Sequence, residues 1–282
     1  MNKLKKIIFA VISLVMTFVC AFGFVGCSGE DITDVEVKIS VYDFSESNFE
    51  NHSLNIELYG HLAPKTVSQI KKLVKEGYYN NAVFYVMDKY SDQIMLGDLM
   101  YDADSGENEG FYLNQTKPTL NGEFKYGGTT GSNLKNKEGS IGLWRTWAAQ
   151  DSSYNSGSSG MNTGSATWFM PTKALTTYDD YFCVFAQYDV NNSDNKETMT
   201  ILKELFSNTS RYKEFVIYYT GDYDNLTFNC VKAENFVEDE ILDLFKAEED
   251  SAEFVCYNHY TIKVPMTSDG RVAASIVSTK IK

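Results

Sequence analysis

The segment Leu54–Asp98 constrains the fold of this 282-residue chain most strongly. Apolar and polar residues alternate over Leu54–Tyr59, which is the period-two pattern of a half-buried strand. Pro64 predicts a helix start, because the N–H that proline lacks has no partner in the first turn. Apolar residues then recur at helical spacing as far as Gly77, which predicts the helix cap. Ala82–Met87 predicts a second strand, so the order is strand, helix, strand.

Several motifs along this segment and beyond it agree with one family in residue type, spacing and order. They are Leu-Ala-Pro-Lys-Thr-Val at 62–67, Glu-Gly-Tyr-Tyr at 76–79, Gly-Glu-Phe at 122–124, and an ungapped run of 17 residues from Phe169 to Phe185. The chain resembles the cyclophilins, the peptidyl-prolyl cis-trans isomerases. The resemblance covers residues 35–188 well and residues 189–282 poorly.

The resemblance implies a mainly β fold, namely a cyclophilin-like closed antiparallel β-barrel capped by helices. Because the chain is longer than the usual cyclophilin core, we expect residues 189–282 to form a C-terminal α/β elaboration. No Pro-rich or Gly/Ser-rich linker separates balanced halves, which favours one domain over 35–282. Within the extension, a helix at Glu197–Phe206, an amphipathic helix at Asn235–Glu249 and strands at Phe254–Pro265 and Arg271–Ile281 are predicted.

Residues 1–26 have the pattern of a lipoprotein signal peptide rather than of a folded segment. Lys3, Lys5 and Lys6 precede an apolar stretch that ends in Phe-Val-Gly-Cys at 24–27. This end resembles a bacterial lipobox, in which Cys27 is acylated and becomes the mature N-terminus, followed by a polar tether at 27–34. The alternative is an ordinary secretory signal with a chance cysteine. We therefore expect an extracytoplasmic protein that is lipid-anchored to the bacterial cell membrane.

Composition excludes several classes of partner and site. The formal net charge of −13 disfavours nucleic acid and anionic lipid surfaces, which are polyanions. The three histidines are scattered and no metal-binding spacing occurs, so neither a metal nor a cofactor is expected. Cys183 lies in an apolar run and is expected to be buried. Cys230 and Cys256 either pair outside the cell or remain thiols.

The predicted chemistry is rotation about an X-Pro bond, which has a barrier of about 18–20 kcal/mol because the C–N bond has partial double-bond character. In cyclophilins an Arg stabilises the twisted amide and a Gln on the next strand assists, both as preorganised donors. Alignment to the family places Val86 at the Arg position and Met95 at the Gln position, and neither donates. Three other side chains are candidate catalytic donors, each with a plainer alternative as a packing or surface residue: Gln93, Tyr85 and Arg145.

The resemblance also implies a pocket for the proline ring. Phe169 keeps the family's phenylalanine, whereas larger or more aromatic residues replace the family's choices at Trp144, Tyr178 and Phe182. We expect these residues, with Met95 and Val86, to bind substrate, and Trp144 to be large enough to plug the pocket. The alternative is that the aromatic residues form only a core.

The predicted function is a membrane-anchored, extracytoplasmic peptidyl-prolyl isomerase that assists the folding of secreted proteins. Its partners would be proline-containing peptides or unfolded secreted proteins. The alternative is a catalytically inactive, cyclophilin-like peptide-binding or chaperone module, which the missing Arg favours. A solute-binding lipoprotein is a third reading, but the chain is short for the two lobes that such proteins need.

Overall fold

The structure is a computed structural model, and it describes residues 31–114, 117–125, 134–145, 162–220, 227–237 and 259–282. The helices are α1 (Pro64–Lys75) and α2 (Ser193–Ser207). The strands are β1 (Ile32–Asp43), β2 (Asn48–Tyr59), β3 (Val86–Met87), β4 (Gln93–Leu96), β5 (Leu99–Tyr101), β6 (Phe111–Leu113), β7 (Ser140–Leu143), β8 (Trp168–Pro171), β9 (Cys183–Gln187), β10 (Tyr212–Thr220), β11 (Thr227–Lys232), β12 (His259–Pro265) and β13 (Ala274–Ile281).

The largest sheet is strongly curled and antiparallel. Its strand order within the described residues is β13-β1-β2-β9-β7-β8-β4. Its two edges approach each other on either side of Ala82–Tyr85, where Tyr85 and Met95 exchange backbone hydrogen bonds of 2.8 and 3.0 Å and the Phe84 N–H donates to the Ala274 carbonyl at 3.3 Å. The prediction of a mainly β, cyclophilin-like fold is confirmed. The predicted barrel was closed, whereas the curled sheet forms a half-barrel that does not close completely.

Alternation along the strands separates two apolar layers. One, which we call the inner core, fills the inside of the curled sheet and includes Ile56, Phe84, Ile94, Trp168 and Phe185. The residues that alternate with them point to the opposite face. On that face a second cluster, the outer cluster, is buried: Val83, Tyr85, Met95, Phe169, Phe182, Phe215, Ile217 and Ile262 are among its members.

Helix α1 begins against a buried acidic side chain. Glu123, from the predicted Gly-Glu-Phe motif, is 5% exposed and accepts hydrogen bonds from the backbone N–H groups of Lys65 at 2.9 Å and Thr66 at 2.7 Å. A carboxylate at this position satisfies N–H groups that have no partner within the helix and complements the helix dipole. The motif therefore fixes the orientation of α1 on the barrel.

Helix α2 confirms the helix predicted at Glu197–Phe206. Asn192 caps it by accepting from the N–H groups of Asp194 and Asn195, both at 3.1 Å. The buried Asn195 amide then bonds the backbone of Asn55 in both directions, at 2.7 and 3.2 Å. These bonds hold α2 against β2.

The extension contributes a second sheet, which we call the C-terminal sheet, with the order β11-β10-β12-β3. Its last strand, β3, belongs to the family-like segment: Val86 pairs with Lys263 and Met87 with Ile262. The C-terminal sheet is thus hydrogen-bonded to the chain directly after Tyr85. Phe215 and Ile217 lie on one face of β10, Ile262 on β12 pairs with Phe215, and all three lie in the outer cluster.

Some predictions differ from the structure or lie outside it. The acidic and polar segment 102–121 has no periodicity and is therefore typical of a loop, but it contains the short strand β6, which pairs with β5. The structure does not describe residues 1–30, most of the predicted helix Asn235–Glu249, or Cys256. Cys183 is buried as predicted. In the described parts of the chain, no helix has the length and apolar character to cross a membrane.

Candidate active site

Three outer-face residues lie side by side on neighbouring strands. Tyr85 is paired with Met95, and Met95 is paired with Phe169. Residues paired across antiparallel strands have side chains on the same face, about 4.5–5.5 Å apart at Cβ. The candidate donor Tyr85 therefore lies in one row with the candidate pocket residues Met95 and Phe169.

The pocket position of Phe169 is filled by other aromatic rings. Phe169 is 0% exposed. The ring of Trp144 stacks on Phe182 with centroids 5.4 Å apart, and Tyr178 stacks on Phe182 at 4.6 Å. All three contact Phe169 at centroid distances of 5.3–6.1 Å, within the range of favourable aromatic pairs. In this conformation a proline ring cannot reach Phe169 unless Trp144 or Phe182 moves.

Gly142 leaves the room that the Phe169 ring occupies. These two residues are paired across β7 and β8, and a Cβ built on Gly142 would lie 2.3 Å from two Phe169 ring carbons. The position therefore needs glycine because of the close approach of the ring. The pocket phenylalanine and this glycine form a matched pair.

The structure separates Val86 from the other candidate substrate-binding residues. Val86 is 5% exposed and belongs to the inner core, whereas Tyr85 belongs to the outer cluster. Successive strand residues point to opposite faces, so only one of the two can face the pocket. The side chain in the row with Met95 and Phe169 is that of Tyr85.

The remaining candidate donors are held by local partners. Gln93 is 1% exposed, and its amide Nε2 donates to the Met95 Sδ at 3.5 Å. The Arg145 Nε donates to the Tyr181 carbonyl at 2.8 Å, and its guanidinium lies 4.8–5.0 Å above the rings of Phe124 and Phe182. Burial lowers the pKa of Arg145. Arg145 thus lies beside the pocket residue Phe182, and Gln93 contacts the pocket residue Met95 on the same strand.

A cavity of about 440 Å³ lies next to this row, and we call it the interface cavity because the barrel and the C-terminal sheet both line it. The barrel side contributes Tyr85, Asp98, Trp144 and Arg145, among others. The C-terminal sheet contributes His259 and two tyrosines that sequence reasoning did not identify, Tyr219 and Tyr260. Trp144 therefore lies between the filled proline pocket and an open space of ligand size.

The interface cavity contains phenol groups and a carboxyl group that share one electrostatic environment. Burial, followed by the nearby charge of Asp98, raises the pKa of Tyr85. Burial also raises the pKa values of Tyr219 and Tyr260. The Asp98 pKa is raised by burial, although Thr167 opposes the shift by donating to the Asp98 Oδ1 at 2.9 Å. The phenols consequently remain protonated at neutral pH and can donate hydrogen bonds.

Within the described ranges, no group of three His, Cys, Asp or Glu side chains is placed so that it could hold a metal ion. The row and the cavity offer hydrogen bonding from phenol, guanidinium and backbone groups, beside an aromatic pocket.

The sequence and the structure were compared with known proteins. The family model described as cyclophilin type peptidyl-prolyl cis-trans isomerase matches residues 41–213. A crystal structure of a cyclophilin type peptidyl-prolyl cis-trans isomerase from Cryptosporidium parvum is 18% identical and has a TM-score of 0.40, over 62% of this chain and 85% of that chain. No curated protein sequence matches the chain. Because the family model spans more than half of the sequence, this chain belongs to the cyclophilin type peptidyl-prolyl cis-trans isomerase family.

Proposed function

We propose that this chain is a membrane-anchored, extracytoplasmic peptidyl-prolyl isomerase that acts on proline-containing segments of secreted proteins. The single observation that carries the proposal is the row Tyr85–Met95–Phe169 within the family-matched segment 41–213. It combines a hydrogen-bond donor with the pocket phenylalanine of the family. The donor is a phenol in place of the usual guanidinium.

The reaction needs no covalent intermediate. Rotation about the X-Pro bond breaks amide resonance, so the nitrogen becomes pyramidal and gains a lone pair in the transition state. A donor aimed at that nitrogen stabilises the transition state more than the planar ground state. The Tyr85 hydroxyl would be this donor, since Tyr85 lies in the row with Met95 and Phe169 and burial raises its pKa, so that it keeps its proton at neutral pH. Phe169 and Met95 would hold the proline ring.

Proline entry requires the aromatic stack to open. Trp144 is only partly buried and lines the interface cavity, whereas Phe169 and Phe182 are buried. A swing of Trp144 into the cavity would uncover Phe169 while disturbing little of the core. Because only open molecules can bind the proline ring, the apparent affinity for the peptide is the intrinsic affinity multiplied by the fraction of open molecules.

A second candidate function is favoured by the 0% exposure of Phe169. A chain whose pocket stays filled would bind extended peptides beside the pocket without catalysing isomerisation. It would then be a peptide-binding or chaperone module on the cyclophilin scaffold. Positions 85 and 86 hold Tyr and Val, so neither carries the family's catalytic Arg, which supports this candidate as well.

One experiment separates the two candidates. The full-length chain in detergent is assayed for isomerisation of an X-Pro peptide, and binding of the same peptide is measured in parallel. Acceleration that Tyr85→Phe reduces supports the isomerase. Binding without acceleration supports the binding module. If the chain shows neither binding nor acceleration, both candidates are contradicted. Tyr112→Phe, an exposed tyrosine on β6, is the matched control.

The proposed anchor is tested separately. Lys3, Lys5, Lys6 and the apolar stretch before Cys27 support export and acylation. Acyl chains would hold the protein at the membrane because each buried methylene contributes about 0.8 kcal/mol. We expect the wild type to incorporate labelled fatty acid and Cys27→Ala to incorporate none. Equal labelling of both proteins would contradict acylation at Cys27.

A further inference from the structure

Two tyrosines from beyond the family-matched segment line the same cavity as the candidate catalytic tyrosine. The family model ends at residue 213, whereas Tyr219 lies on β10 and Tyr260 on β12. Both line the interface cavity together with Tyr85 and Trp144. The C-terminal sheet is therefore part of the wall next to the proline pocket.

Strand alternation explains how these hydroxyls reach the cavity. Ile217 and Tyr219 share one face of β10, and Tyr260 is paired with Ile217 on β12, so all three side chains face the barrel. Ile217 is buried in the outer cluster. Tyr219 and Tyr260 lie next to it on the same face of the sheet, where the cavity begins. Tyr219 and Tyr260 are diagonal neighbours across the strand pair, within reach of each other.

The two hydroxyls are available as hydrogen-bond donors. Burial raises the pKa values of Tyr219 and Tyr260, so both phenols keep their protons at neutral pH. Because the two residues are diagonal neighbours across β10 and β12, Tyr260 lies beside Tyr219 in the cavity wall.

We propose that the interface cavity is a binding subsite for the peptide residues that flank the proline, in which the Tyr219 hydroxyl donates to a peptide carbonyl. Tyr260 lines the same wall beside Tyr219 and provides a second contact for the peptide. The inference rests on the proposed function, since it requires a proline ring at Phe169. It assigns the C-terminal sheet a role in recognising the polypeptide around the proline.

The chemistry of the cavity fits a peptide backbone. A backbone presents carbonyl acceptors and N–H donors, and the cavity offers phenol donors together with the Asp98 carboxyl group as an acceptor. Its volume of about 440 Å³ suits a few residues rather than a folded partner. Trp144 lines both the cavity and the proline pocket, so a peptide can occupy the two continuously.

The test compares a short and a long ligand on the full-length chain in detergent. The short probe is N-acetylproline methylamide, and the long probe is a proline flanked by three alanines on each side. Binding of each is measured calorimetrically for the wild type, Tyr219→Phe and Tyr260→Phe. Both variants keep the aromatic ring, and circular dichroism checks their fold. Tyr112→Phe is the control, since Tyr112 is an exposed tyrosine that does not line the cavity.

We expect the wild type to bind the long probe more tightly than the short one. Tyr219→Phe should weaken the long probe about fivefold, the effect of one neutral hydrogen bond, and leave the short probe unchanged. Tyr260→Phe should weaken the long probe by a smaller factor. Equal loss for both probes, or no loss in Tyr219→Phe while the long probe binds, would overturn the subsite. Failure of the wild type to bind either probe would instead overturn the proposed function.

Discussion

The indole of Trp144 lies nearly parallel to the phenyl ring of Phe182, with an interplanar angle of 20° and centroids 5.4 Å apart. This stack covers Phe169, the residue that a proline ring would contact. The resting state of the site is thus occupied by the protein's own side chains. Arg145 lies beside the same aromatic cluster, with its guanidinium 5.0 Å from the centre of the Phe182 ring.

The close approach of Gly142 and Phe169 predicts a large cost for a single methyl group. In Gly142→Ala the new Cβ would collide with the buried Phe169 ring, which must shift off its rotamer. We expect the free energy of unfolding to fall by about 1–3 kcal/mol, measured by urea denaturation. Gly106→Ala is the control, because nothing lies within 4 Å of its Cβ position. Equal stability of the two variants would contradict the packing described here.

Truncation of the pocket phenylalanine should affect folding as well as binding. Phe169→Ala removes a fully buried ring and should lower the free energy of unfolding by about 3–5 kcal/mol. Phe49→Ala, at an exposed position, should cost about 1 kcal/mol or less. A small loss in Phe169→Ala, measured in the same denaturation series, would show that the pocket is open in solution.

The cap of α1 predicts an effect distant from the site. Glu123→Ala removes the acceptor of two backbone N–H groups, of which that of Thr66 is buried. A loss of about 1–3 kcal/mol of unfolding free energy is expected by chemical denaturation. Glu123→Gln keeps one acceptor oxygen and should lose less. The exposed Glu107→Ala should have little effect, and a similar loss there would argue against the cap.

Two aspartates predict opposite pH dependences of stability. The Asp98 pKa is raised by burial in the folded state, so the folded protein binds more protons than the unfolded chain and loses stability as pH rises above about 4. Asp98→Asn should therefore become more stable relative to the wild type as the pH rises from 4 to 7. Urea denaturation at several pH values measures this difference.

Asp269 provides the matched comparison. Its pKa is lowered, first by the Thr267 hydrogen bond and also by the charge of Arg271. Its carboxylate stabilises the folded state above the unfolded pKa, and this contribution disappears as pH falls through the folded pKa. Asp269→Asn should thus be less stable than the wild type at neutral pH, with the gap closing in acid. If both variants showed the same sign of pH dependence, the opposite pKa shifts of Asp98 and Asp269 would be contradicted.

The sequence was sufficient for the barrel because its signals are local. Alternation in Leu54–Tyr59, Pro64 at the helix start and the Gly-Glu-Phe motif each depend on neighbouring residues or on a family pattern. The structure confirms the corresponding elements, β2 and α1, with Glu123 at the helix start. The filled pocket was partly predictable, since the size of Trp144 suggested it.

The sequence identifies Tyr85 and Arg145 as candidate donors, but it does not determine how Tyr85 is oriented or which residues of the C-terminal sheet lie beside it. Whether Tyr85 or Val86 faces the site depends on the strand register, and a shift of one residue exchanges the two faces. The segment from Phe84 to Asp98 has one residue more than the cyclophilin pattern that it resembles, so the alignment leaves the register open. Tyr219 and Tyr260 were missed because their contact with Tyr85 depends on a long-range packing of sheets, which no pattern within β10 or β12 encodes.

The most direct measurement is the isomerisation rate of an X-Pro peptide with the wild type and with Trp144→Ala, both full-length and in detergent. Removing the indole should uncover Phe169, so we expect measurable catalysis by the wild type and a rise in kcat/KM of about tenfold in the variant. Catalysis that Trp144→Ala leaves unchanged would contradict the closed pocket. Absence of catalysis from both proteins, with both folded, would contradict the isomerase.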